Sequence, residues 1–187
     1  MYLTKGSHLS GGKLELENKT AGTSAAGIYY EGTGNEVDHN TDIEVTTGEN
    51  LLALYANGLK LNNNKEILIK KGKNNVAAYI TGNSTFRNKG KIQLGESGNN
   101  GDFKSGIGVY VVDGEAINES GKTIDIYDFE NTASGGSLSV GMLANAASGK
   151  TAKVTNKGTI NANGEVIGMV VEDNSEGLND TGAEIVA

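Results

Sequence analysis

Side chains able to do chemistry are few and scattered in this chain of 187 residues. It holds two histidines, His8 and His39, and no cysteine, so a structural zinc site lacks ligands. The nearest approach to a constellation is acidic: Asp125, Asp128 and Glu130, with Asp102 in the stretch before them. Paired carboxylates act as acid and base on a glycosidic bond, or bind calcium. The competing reading is an outer strand face, with Asp125 alternating with apolar Ile124 and Ile126, and no calcium-type nonapeptide repeat accompanies the acids. Ser148-Gly149-Lys150-Thr151 and Gly121-Lys122-Thr123 end like a phosphate-binding loop. Ala144 and Ala116 stand where that motif needs its first glycine, and no helix signal follows. No Gly-x-Ser-x-Gly elbow occurs. The expectation is no catalytic, cofactor-binding or metal-binding residue, and no enzyme.

What positions these residues is a repeat. One element alternates apolar and polar residues: Gly-Lys-Leu-Glu-Leu at 12–16, Asp-Ile-Glu-Val at 42–45, Glu-Ile-Leu-Ile at 66–69, Gly-Lys-Ile-Gln-Leu at 90–94, Thr-Ile-Asp-Ile at 123–126, Gly-Thr-Ile-Asn-Ala at 158–162 and Glu-Ile-Val-Ala at 184–187. Its key residues lie 24 to 36 positions apart. A second element recurs in step: Gly27-Ile28-Tyr29, Ala53-Leu54-Tyr55, Ala77-Ala78-Tyr79, Gly108-Val109-Tyr110, Gly141-Met142-Leu143 and Gly168-Met169-Val170. A third, weaker one ends in asparagine, at Asn88, Asn118, Asn156 and Asn179. Three short strands per repeat suit one coil of a parallel β-solenoid, in which each strand pairs with its copies one coil away. Those asparagines then stack at one corner, their amides satisfying turn backbone. The glycines that follow (Gly90, Gly121, Gly158 and Gly182) supply positive φ there. Asn-x-Ser/Thr occurs at Asn18, Asn83, Asn118 and Asn179, and the repeat itself accounts for the last two.

Loop lengths single out one corner. Between the alternating element and the next small-apolar-Tyr element, two consecutive coils carry long insertions, 95–105 and 127–138. They should lie side by side, and repeat proteins often bind through insertions on one face. Asn99, Asn100, Asp102, Phe103, Lys104, Tyr127, Asp128, Phe129, Glu130 and Asn131 are therefore the candidate binding-loop residues. Long turns are also entropically cheap, so the insertions need have no role. The other loop column, which includes 31–40 and 145–152, varies less and reads as plain connection.

Composition agrees with a turn-rich all-β chain: 28 Gly and 22 Asn, with no Pro or Trp. No segment keeps a helical apolar period for three turns. A net charge of −7 and a pI near 4.9, with no basic stripe, argue against nucleic-acid binding. No run of eighteen apolar residues marks a membrane helix, and no signal peptide opens the chain.

Val-x-Asn-Lys-Gly-Thr-Ile-x-Ala followed by Ile-Gly-Met-x-Val, at 154–162 and 167–171, resembles the passenger repeats of large type V autotransporter adhesins, closest to the very long passengers of fusobacteria. The resemblance spans nearly the whole chain, most sharply 76–187, and degrades before 75, where Asn-x-Gly is lost. It implies a parallel β-helix exported through a C-terminal outer-membrane barrel, on a bacterial surface or secreted. On that reading residues 1–187 are one segment of a longer passenger, with signal peptide and translocator elsewhere. No family binding residue maps onto a motif here.

The expected fold is all-β: one right-handed parallel β-helix, a single-stranded β-solenoid of six to seven coils and about 30 Å in length. Inward positions are Ile28, Leu54, Ile67, Ile92, Val109, Ile124, Met142, Ile160, Met169 and Ile185. The expected function is an adhesin segment holding loops out to a protein or glycan on a host cell or another bacterium. Competing with it are a polysaccharide lyase or glycosidase, which the single arginine, Arg87, disfavours, and an inert spacer. Neither end carries a cap, so end-to-end self-association is expected.

Overall fold

A computed structural model describes residues 1–3, 9–17, 25–98, 102–129 and 137–187. Every strand pairing in it is parallel, and the chain winds as a β-solenoid of about six turns, with no helix among the described residues. The small-apolar-Tyr elements form one sheet: β1 (Tyr2–Leu3), β3 (Ala25–Glu31), β5 (Leu51–Asn57), β9 (Val76–Thr81), β13 (Ile107–Val111), β16 (Ser139–Asn145) and β19 (Val166–Glu172). The asparagine-ended elements make a second row: the start of β4 (Glu36–Glu49), then β6 (Lys60–Asn63), β10 (Ser84–Asn88), β14 (Gly114–Asn118), β17 (Ala152–Asn156) and β20 (Ser175–Asn179). The alternating elements make a third: β2 (Leu9–Glu17), the middle of β4, β7 (Glu66–Ile69), β11 (Lys91–Leu94), β15 (Thr123–Asp128), β18 (Thr159–Gly164) and β21 (Glu184–Val186).

Rows two and three join into one sheet because β4 runs through the asparagine corner unbroken. Val37, His39, Thr41, Ile43 and Val45 alternate inward along it, and no Asn-x-Gly interrupts them. Later coils turn sharply there, and the glycines serve in two ways. Where the turn has an extra residue, Gly121 and Gly182 adopt φ of 71° and 83°. In the shorter Asn-Lys-Gly turns, Gly90 and Gly158 do not adopt positive φ, contrary to the sequence expectation. There a Cβ would come within 2.1 Å of Lys65 O or 2.2 Å of Lys122 O, so close stacking of coils demands glycine.

The core is a set of in-register columns. Ile28, Leu54, Ala78, Val109 and Met142 stack from one wall, and Ile43, Ile67, Ile92, Ile124 and Ile160 from another, all fully buried. Each large aliphatic contributes about 1.5–3 kcal/mol by burial. Met169 and Ile185 hold the expected register but not the expected burial. Met169 is half-buried and Ile185 is 41% exposed, because only one neighbouring coil covers them. The small residue before each central aliphatic is turned inward too. A Cβ on Gly108 would meet Gly141 O at 2.5 Å and Ile124 Cγ2 at 2.9 Å.

Candidate functional site

The two insertions do lie together. Asp128 ends β15 on the inward side, in phase with Ile124 and Ile126, and is 2% exposed. Its carboxylate accepts the Ser139 hydroxyl at 2.5 Å and the Ser105 backbone N–H at 3.1 Å. Ser105 Oγ donates to the Ser137 carbonyl at 2.9 Å, so the return segments of the two insertions are tied to each other. Such bonds offset the desolvation of a buried carboxylate.

The first insertion also folds back on the solenoid. Residues Phe103–Lys104 form a short strand, β12, pairing with β8 (Gly72–Lys73), which in turn pairs with the end of β4. Phe103 is thereby buried at 2% exposure, and a Cβ on Gly106 would lie 2.1 Å from its ring. Phe103 and Asp128, two of the ten sequence-selected residues, are thus committed to holding the coil together. Asp102 is half-exposed and pairs with Lys71 at 2.8 Å, which raises the lysine's pKa chiefly through that hydrogen bond. Lys104 and Tyr127 are half-buried, and Phe129 and Leu138 are 41% and 42% exposed. Asn99, Asn100, Glu130 and Asn131 lie outside the described residues.

The acidic constellation does not converge. Asp125 and Asp128 point to opposite faces of β15, as strand alternation requires. Asp125 is covered from outside by Asn161, which donates to it at 2.6 Å, and by Lys91 at 3.6 Å. Among the described residues no three acidic or histidine side chains are grouped to hold a metal ion. Lys150 of the phosphate-loop mimic pairs with Asp113 at 3.2 Å.

Two ladders run along the solenoid, each over part of its length. In the asparagine corner, Asn63 Nδ2 donates to Asn88 Oδ1 at 3.1 Å, Asn88 to Asn118 at 2.9 Å, Asn118 to Asn156 at 2.9 Å and Asn156 to Asn179 at 2.8 Å. Asn63 extends the expected set by one coil. On the outer face of the first sheet, Tyr2, Tyr29, Tyr55 and Tyr79 stack with ring centroids 4.4 to 5.3 Å apart, and Tyr110 meets Tyr79 edge-on at 5.2 Å. Burial first, then its neighbours Tyr29 and Tyr79, push the Tyr55 hydroxyl up to about 12. The signal for this second ladder was present in the tyrosine that ends four of the small-apolar elements.

Set against family models, curated proteins and solved structures, the chain matches none.

Proposed function

We propose that the chain is a rod-like segment of a bacterial surface adhesin, holding recognition loops out for attachment to host cells or other bacteria. Its place would be an outer-membrane-anchored or secreted passenger. The observation that carries this reading is the pairing of two insertions at one corner. Two long insertions leave consecutive coils there and are bound to each other through Ser105, Asp128 and Ser137. A stacked β-scaffold under paired loops limits the ordering cost of binding. Burial of Phe103 and Asp128 favours a second reading, a spacer whose insertions only brace the rod.

Replacing 96–101 and 130–136 by short Gly-Asn turns separates the two. Adhesion of the purified chain to epithelial cells and to bacterial cells should drop at least tenfold while the β-type circular dichroism is kept. Adhesion equal to that of the parent chain, or none by either, would leave the spacer.

A further inference from the structure

The corner between the first and second rows is more than a connection. Here β5 joins β6, and β9 joins β10, through only two residues each (58–59 and 82–83), while β3 reaches β4 through four (32–35). These stacked turns of unequal length together line a cleft of about 790 Å³. Gly32 and Gly58 are among its lining residues. Their N–H groups are bonded coil to coil, to Asn57 O at 3.0 Å and Thr81 O at 3.4 Å. Lys60 and Thr85 belong also to an adjoining hollow of about 400 Å³ on the outer surface of the second row. Cleft and hollow therefore form one trough across three to four coils.

The trough's side chains sort into committed and free. Asn57 is held by Glu31 at 3.2 Å and the Tyr29 hydroxyl at 3.4 Å, Asn62 by Glu36 and Asp38 at 2.9 and 2.8 Å, and Arg87 by Glu119. These contacts fix the walls before any ligand arrives. The Lys60 ammonium, the Asn83 amide and the Thr85 hydroxyl make no hydrogen bond or ion pair among the described residues, and both Lys60 and Asn83 are exposed. Glu36, Lys60, Thr85 and Glu115 are in register, so donors and acceptors succeed one another along the trough at the coil spacing of about 4.8 Å.

We propose that this trough binds a short neutral oligosaccharide. Each sugar hydroxyl both donates and accepts, which matches a line of interspersed ammonium, amide, hydroxyl and carboxylate groups. The cleft presents no large apolar side chain to anchor an apolar ligand, since Leu59, the one such lining residue, is only 3% exposed. A polyanion would meet Glu31, Glu36 and Glu115 with Lys60 as the one unpaired cation. The trough is at a different corner from the insertions, so it stands or falls independently of them.

Saturation-transfer difference NMR on the full chain tests this, using di- to tetrasaccharides of neutral hexoses and N-acetylhexosamines, with heparin-derived tetrasaccharide as the anionic comparison. At least one neutral oligosaccharide should give transfer, and Lys60→Ala and Thr85→Tyr should each weaken its binding at least tenfold with an unchanged circular dichroism spectrum. Lys157→Ala, at the asparagine corner, should leave binding unaltered. No transfer to any neutral oligosaccharide, binding that survives both trough variants, or binding of the heparin tetrasaccharide alone would overturn the proposal.

Discussion

His39 stands in register with Asn63, at the corner position that asparagine holds in each of the next five coils. The chain of amides from Asn63 to Asn179 therefore ends against an imidazole. That ring is fully buried; its Nδ1 lies 3.0 Å from the Tyr30 hydroxyl, and its Nε2 has no hydrogen-bond partner among the described residues. Burial holds its pKa at about 4, against an ordinary 6.5, with the Thr41 backbone and Asp42 offsetting only part of the effect.

This gives the solenoid an acid-labile coil. The folded state prefers the neutral ring, so between pH 6.5 and 4 the unfolded chain binds more protons. The contribution is complete above about pH 6.5 and is lost as pH falls towards 4, amounting to about 3 kcal/mol. His39→Asn, which continues the ladder, should flatten the dependence of melting temperature on pH in that window. Parallel profiles for the two proteins would show that the ring does not titrate as argued.

Asn118 is fully buried at the middle of the ladder, accepting from Asn88 and donating to Asn156, Lys122 O and Thr159 O. Asn118→Leu strands these partners and should cost about 3 kcal/mol, since each unsatisfied buried group costs about 1–3 kcal/mol. Asn179→Ala, at the exposed end, should cost about 1 kcal/mol or less. Urea midpoints compare the two, and equal losses would mean that the ladder is not a cooperative, buried structure.

The last coil, β19 to β21, presents Ile167, Val171, Leu178 and Ile185 at 39 to 48% exposure along with a strand edge that pairs with no further strand among the described residues. Open edges of this kind pair with other chains. The chain should self-associate with rising concentration in light scattering, and Leu178→Lys with Ile185→Lys should suppress it. Amides of β20 and β21 should exchange faster than those of β10 and β14. A monodisperse monomer at high concentration, with terminal amides protected like central ones, would contradict both expectations.

The sequence by itself determined the architecture. Period-two alternation, the Asn-Lys-Gly corner and the small-apolar-Tyr element are short-range signals, and repetition fixes which copies meet: Ile92 pairs with Ile124 and Ile160 follows because like elements stack. The inward turn of Asp128 was equally legible, since alternation carries it past Ile124 and Ile126 to the same face. What only the tertiary structure decided depends on which unlike segments the stacking brings side by side. His39 entered the asparagine column without any shared motif, because β4 keeps its alternation through the corner. Phe103 became core by pairing with Gly72, far along the chain and unrelated in type. The trough beside Lys60 is lined by turns of adjacent coils that are distant in the chain, and they come together only when the coils are stacked.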